Sequence, residues 1–443
     1  MNRAPTRYDV STKQARIAEL ARQMRGQAFR TLAHHMDLNW LRDAFGRTRK
    51  DGATGVDSGT SSAYAEDLEG NLSALLTRLK AGTYRAPPVR RVHIPKGDGK
   101  TRPLGIPTFE DKVLQRAVVM LLEPIYEQDF YDLSYGFRPG RSPHKALRAL
   151  DEGLRQVGGG WVLDVDLKSF FDTIVHEKLR ELLRQRVADE AIIRLIGKWL
   201  NAGVLEEGAV HHSESGTPQG GVVSPLLANI YLHEALDGWW VKDVLPRMRG
   251  RASMVRYADD FVMIFQNRVD AERVMAVLPK RMERFGLTVH PEKTRLVRFG
   301  RPRDGREDTP PGSFDFLGFT HFWCRTRNSR WMFRRKTSKK RFSRSLTAIG
   351  DWIRGARHRP LAEQAKILGA KLTGHFSYDG VTGNADLINR FHYEVRCLWK
   401  KWLDRRSQRG WLTWDRFNAL LDRYRLPPAL LRPGARQLSL ANF

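Results

Sequence analysis

From Tyr84 to Phe299, short apolar runs suited to strands alternate with helical segments, without the regular rhythm of a βαβ repeat. Val113 to Tyr126 and Leu226 to Trp240 are the clearest helical segments. This pattern predicts an α+β domain built around an antiparallel sheet. Before it, Ala15 to Phe45 reads as two helices, with Ile17, Leu20, Ala21 and Met24 recurring at helical spacing. After Ser343 the pattern turns helical, and Ile388, Phe391, Val395, Leu398 and Trp402 form an apolar stripe that needs a partner surface. The opposite face carries Arg390, Arg396, Lys400, Lys401, Arg405 and Arg406, a basic surface suited to phosphates. Turn formers cluster at Lys50 to Gly55 and again from Gly300 through Gly312.

Charge changes the picture. The 443 residues carry 76 Lys and Arg against 49 Asp and Glu, a net charge of +27, which selects a polyanion as partner. From His321 to Phe443 there are 27 basic against 8 acidic residues, so +19 of that excess lies in little more than a quarter of the chain. Apolar runs such as Val118 to Leu122 are too short for a membrane span, and Met1 to Thr6 begins no apolar signal segment. A cytoplasmic protein without membrane attachment is expected. Cys324 and Cys397 belong to no Cys-x-x-Cys pair, which argues against a zinc module or a disulfide framework.

The sharpest local chemistry lies in Val255 to Ile264, two strand-prone runs joined at Asp259-Asp260. Adjacent carboxylates at a turn repel unless a cation neutralises them, and hard oxygen ligands suit magnesium. Two-metal phosphoryl transfer needs carboxylates that hold two ions about 4 Å apart. A third acid should come from the apolar run Trp161 to Leu167, where Asp164 and Asp166 share a strand face and either qualifies from pattern alone.

Tyr257-Ala258-Asp259-Asp260 resembles the signature of reverse transcriptases, and further blocks follow that family's order: Asp166 to Asp172, Gly216 to Leu232, His290 to Thr294, and Phe316 to Phe319. Ile94 to Pro107 and Ser134 to Ser142 resemble the group II intron subset in particular. The likeness runs from about Asp37 to about Pro428.

The resemblance implies a right-hand polymerase fold. Residues 1–80 would form an N-terminal helical extension and the start of the fingers, 81–310 the fingers and palm, and 311–443 a basic helical thumb and maturase region. It implies Asp166, Asp259 and Asp260 as catalytic ligands of two magnesium ions, leaving Asp164 as a neighbour and Asp172 as a structural acid. Lys96 and Arg102 would grip the incoming triphosphate, and Gln219 would lie near the minor-groove edge of the nucleotide. Phe171 would exclude a ribose 2′-hydroxyl, and Lys293 would donate a proton to pyrophosphate. Gly374 to Val381 takes the place of an aromatic-rich family motif, where Phe376 and Tyr378 could stack on bases or be buried. The implied function is RNA-directed DNA synthesis joined to intron RNA binding for splicing and retrohoming, with intron RNA as template, a DNA primer or target, and dNTPs as substrates. Alternatives are a host-adopted enzyme of the same fold in defence or repair, and a splicing-only maturase. A Cys-rich HNH endonuclease, present in many relatives, is not expected here.

Overall fold

The helix Phe109–Tyr126 is apolar on nearly every side, and that composition places it at the centre of a core. In the computed structural model, Val113, Leu114, Ala117, Val118, Leu121, Leu122 and Ile125 are fully buried. The Thr108 hydroxyl caps its start by accepting the Asp111 amide at 3.3 Å. Helices Arg7–Gln23 and Leu38–Arg47 pack against it, and the Trp40 indole N–H donates to the Ala117 carbonyl at 3.0 Å. Residues 7–95, 101–206, 209–211, 216, 220–302, 312–326, 328–407 and 411–431 are described. The chain divides into two compact units: Met1–Val157 with Leu163–Leu296, and Gly158–Val162 with Val297–Phe443. Among the described residues, no helix is long and apolar enough to cross a membrane.

Eleven strands are assigned among the described residues: β1 (Val89–Pro95), β2 (Thr101–Ile106), β3 (Trp161–Val165), β4 (Val204–Glu206), β5 (Ala209–His211), β6 (Ala252–Tyr257), β7 (Asp260–Phe265), β8 (Arg295–Arg298), β9 (Phe314–Phe316), β10 (Phe319–Arg325) and β11 (Trp331–Thr337). They form three sheets, ordered β2-β1-β4-β5, β6-β7-β3-β8 and β11-β10-β9. The mixture of helix and sheet agrees with the α+β expectation. Among the described residues β1 departs from an antiparallel pattern by running parallel to β4, with Val89 opposite Val204. The long helical connection between these two strands gives the chain the length that a parallel pairing requires.

In the first unit, β6 and β7 form a hairpin with Met254 opposite Met263 and Val255 opposite Val262. Helix Pro143–Val157 packs on it so closely that a Cβ at Gly153 would come within 3.0 Å of Ile264. In the second unit, helices Lys339–Ala356, Leu361–Asp379, Ala385–Asp404 and Trp414–Arg423 enclose one core. Helix Ala385–Asp404 buries Ile388, Phe391, Val395, Trp399 and Leu403. Leu398 and Trp402, expected on that stripe, are only partly buried at its edge. Helical periodicity accounts for Leu398, which lies about 80° round the helix from Ile388 while Trp399 returns to within about 20° of it; for Trp402 the packing of the neighbouring helices decides.

Phe376 is buried, and Tyr378 donates its hydroxyl to the Leu317 carbonyl at 2.9 Å while stacking on Phe319. Both aromatics of that motif are therefore engaged within the protein. The neighbouring Asp379, fully buried, accepts the Arg341 guanidinium at 3.0 Å and the Thr337 hydroxyl at 3.0 Å.

Also in the second unit, His321 is fully buried, flanked by the Phe314 and Phe333 rings at 4.9 and 5.7 Å. Neither ring nitrogen meets a hydrogen-bond partner among the described residues. Burial, reinforced by the Arg335 charge and opposed by the nearby Phe316 backbone, which is not in hydrogen-bonding geometry, lowers its pKa to about 3. With the folded value below the unfolded value of about 6.5, this histidine brings no pH-dependent penalty above 6.5, and protonation of the unfolded chain erodes stability as the pH falls from there towards 3. We expect His321→Phe to stabilise the fold by about 1–2 kcal/mol, because it removes two unsatisfied polar atoms. Urea unfolding at pH 7 and pH 5 checks this. The variant's advantage should widen at pH 5, and an equal or smaller gap there contradicts the account.

Candidate active site

The tip of the β6–β7 hairpin is a two-residue loop, Ala258-Asp259, closed by the pairing of Tyr257 with Asp260. Its first residue lies in the left-handed region, with φ of 57°. An alanine there costs roughly 1–2 kcal/mol relative to ordinary backbone, so the surroundings must hold it. Asp259, half-buried, lies in this loop and Asp260, exposed, opens β7, whose next residues Phe261 to Phe265 are all within the core.

Asp166 lies just beyond β3, the strand next to β7. The chain after it is pinned to the 288–290 segment: the Lys168 amide donates to the Thr288 carbonyl at 2.8 Å, and the His290 amide to the Asp166 carbonyl at 2.8 Å. Lys293 follows two residues after Pro291 and places its ammonium 2.7 Å from Asp166 Oδ2. Arg295 approaches Asp164 at 3.3 Å. The two acids that pattern alone could not separate are thus each paired with a cation from one neighbouring segment.

Electrostatics ties these groups together. Burial raises the Asp259 carboxyl pKa, opposed by Arg102 and reinforced by Asp166. The Asp260 carboxyl is pushed up to about 7, first by the protein mass around it and then by the charges of Asp259, Asp166 and Asp164. The Asp260 side chain is nevertheless open to solvent, which weakens desolvation and makes repulsion between carboxylates the firmer cause. Arg102, on β2, contributes a favourable field at both Asp259 and Asp260.

Hard carboxylate oxygens that repel one another and open to solvent are suited to a divalent cation, which would relieve that repulsion. Among the described residues, no three His, Cys, Asp or Glu side chains close on a common point. Asp166 is held instead by the Lys293 ammonium at 2.7 Å.

The structure therefore brings Asp166, Asp259, Asp260, Arg102 and Lys293 into one field. Phe171 lies in the short helix Phe170–Thr173, partly buried, with its ring 5.2 Å from Phe170. Asp172, expected as a structural acid, is exposed. Lys96 and Gln219 lie outside the described residues.

Beneath the hairpin is a buried polar group that sequence reading missed. Arg256 and Asp237 are fully buried and form a forked ion pair at 2.8 and 2.5 Å. Arg256 also donates to Asn229 Oδ1 and to the Ala258 carbonyl, each at 3.0 Å. One signal was available: a charge inside the apolar run Met254 to Ile264, with an opposite charge inside the apolar run before it.

Adjacent carboxylates at a hairpin tip, with a third beside the neighbouring strand and cations facing them, form a set suited to metal-assisted phosphoryl transfer. Residues 94–321, just over half of the chain, match the family described as reverse transcriptase (RNA-dependent DNA polymerase), and the chain belongs to that family. It is similar to Protein YkfC of Escherichia coli, 41% identical over 238 residues that cover 47% of this chain and 62% of that protein. It is also similar to the group II intron-encoded protein LtrA of Lactococcus lactis, 47% identical over 182 residues, 41% of this chain and 29% of that one. A third relative is an uncharacterized 91 kDa protein in the cob intron of Schizosaccharomyces pombe, 32% identical over 277 residues, 51% of this chain and 34% of that protein. The chain spans between about three and six tenths of the length of these relatives.

Proposed function

We propose that this chain is an RNA-directed DNA polymerase of the group II intron type, which also binds the intron RNA to assist splicing and mobility. The observation that carries the reading is the set of Asp259 and Asp260 at the hairpin tip with Asp166 beside them, within the segment matching the reverse transcriptase family. The intron origin in the names of two relatives favours an intron enzyme over a host-adopted one. The three carboxylates favour an active polymerase over a splicing-only protein. In this reading 81–310 forms the fingers and palm, with 1–80 before it, and 311–443 the thumb and maturase region, whose +19 charge suits intron RNA.

Asp166, Asp259 and Asp260 would hold two magnesium ions. Bound there, the ions would activate the primer 3′-hydroxyl and neutralise charge on the triphosphate. The 3′-oxygen attacks the α-phosphorus of the dNTP, and the bond to pyrophosphate breaks. Arg102, with Lys96, would hold the triphosphate through charge-assisted hydrogen bonds. Lys293 would supply a proton to the departing pyrophosphate. Gln219 would lie against the minor-groove edge of the new pair, and Phe171 would meet the sugar at C2′. The cytoplasm is the proposed site of action.

Primer extension with purified protein, a DNA primer on an RNA template, magnesium, and separate dNTP and NTP pools tests the reading. Extension with dNTPs and not NTPs supports it, and no extension with either pool refutes it. In the same assay Phe171→Ala should incorporate ribonucleotides, raising their kcat/KM by about 100-fold (roughly 2.7 kcal/mol of discrimination). Retained exclusion of NTPs would remove Phe171 from the gate.

A further inference from the structure

We infer that Arg256, with Asn229, Asp237 and Gly136, positions the Ala258 turn and through it sets Asp259 and Asp260 for cation binding. The inference rests on the cation-binding role proposed for those two carboxylates.

The turn needs an external restraint. Ala258 sits at φ of 57°, and relaxation towards ordinary backbone would carry Asp259 with it. Two contacts oppose that relaxation from different directions. Arg256 donates to the Ala258 carbonyl at 3.0 Å. From the other side, Gly136 backs the turn so closely that a Cβ there would lie 2.3 Å from the Ala258 nitrogen and 3.0 Å from the Tyr257 carbonyl carbon. Only glycine permits this approach.

Each restraint is itself held. The guanidinium cannot swing away because Asp237 grips its other edge at 2.8 and 2.5 Å, and Asn229 Oδ1 accepts from it at 3.0 Å. Asn229 then donates to the Gly136 carbonyl at 2.7 Å, linking the two restraints through one side chain. The backbone closes the circuit: the Arg256 amide donates to Leu133 and the Tyr135 amide donates to Arg256, both at 2.9 Å. Glu127 fixes the same segment from outside by accepting Arg138 at 2.9 Å, while Arg138 donates to the Ser134 carbonyl at 2.9 Å. Arg256 and Asp237 have no exposed surface, so substrate cannot touch them. They act through the turn and are positioning residues.

A buried ion pair that served stability alone would move the melting temperature and nothing at the hairpin tip. The experiment therefore reads the tip directly, on metal-stripped full-length protein. Arg256→Lys keeps a cation opposite Asp237 but loses the planar fork that holds Asp237 along one edge and Asn229 and the Ala258 carbonyl from the remaining nitrogen. Manganese binding, followed by the paramagnetic resonance of free Mn2+, should weaken about ten-fold, the usual scale for losing a support behind a metal ligand. Amide hydrogen exchange in the 257–260 segment should speed up by about ten-fold. Gly136→Ala alters no charge and presses on the same turn, and Asn229→Ala cuts only the link between the restraints. Both should shift the two readouts in the same direction.

Unchanged manganese affinity and unchanged exchange in Gly136→Ala and Asn229→Ala overturn the inference, whatever Arg256→Lys does. If any variant fails to fold, the remaining ones decide, because each perturbs the turn separately. If wild-type protein and Asp259→Ala/Asp260→Ala bind Mn2+ equally, the proposed cation site is wrong. The exchange measurement then still judges the positioning of the turn.

Discussion

Asp259→Ala combined with Asp260→Ala should abolish primer extension, with a loss of about 10³-fold or more in kcat, while affinity for intron RNA stays within about two-fold. The two halves of this result have separate physical origins. The hairpin tip concentrates negative charge, and removing it leaves any cation without two of its three proposed ligands. RNA affinity follows the basic excess of 27 against 8 residues after His321, which the substitutions leave untouched. Removing two acids also lowers repulsion of the phosphate backbone, so any change in RNA binding should be a slight gain. Filter binding at two salt concentrations, alongside single-turnover extension, checks both halves. Wild-type extension by the double variant would refute the site, and parallel loss of RNA binding would mean that the substitutions unfold the protein.

The second large effect concerns stability. Arg256→Met strands the Asp237 carboxylate in a fully buried position and should destabilise the fold by about 3–5 kcal/mol. Arg256→Met with Asp237→Leu removes both charges and should recover most of that loss, since replacing a whole buried pair with apolar groups is often near neutral. Recovery should be incomplete, because Asn229 Oδ1 and the Ala258 carbonyl still lose their donor. Guanidinium unfolding of the single and double variants measures the cycle. Equal destabilisation in both would show that the cost lies in lost packing and not in the stranded charge.

These two outcomes also differ in how far they were legible beforehand. Asp259 and Asp260 are neighbours in the chain, so strand-prone runs on either side suffice to place them together at a turn. The helix Phe109–Tyr126 was readable as a helix from Val113 to Tyr126, whereas its place at the centre of the core came from packing. Helix Ala385–Asp404 was readable as a helix, but its inward face was misjudged by about one residue in its later turns. Small errors in period accumulate along twenty residues, and only contact with the neighbouring helices fixes the rotation.

Asp164 and Asp166 mark the limit of pattern. A period of two puts both on one strand face, and nothing local distinguishes them. Folding brings the 288–295 segment alongside, and there Lys293 meets Asp166 while Arg295 meets Asp164. The pairing of β1 with β4 was equally out of reach, since a parallel pair between residues more than a hundred positions apart leaves no mark in either segment.

The amino-acid order thus carried the adjacent acids, the longer helices and the basic C-terminal region, all properties of neighbouring residues or of local period. Three-dimensional packing supplied the rest. Arg256 meets Asp237 nineteen residues away and Gly136 meets Ala258 across the fold because their elements come together, and a buried charge takes whichever partner lies within reach. That is why the carboxylates could be named from the chain alone, whereas the apparatus that holds their turn could not.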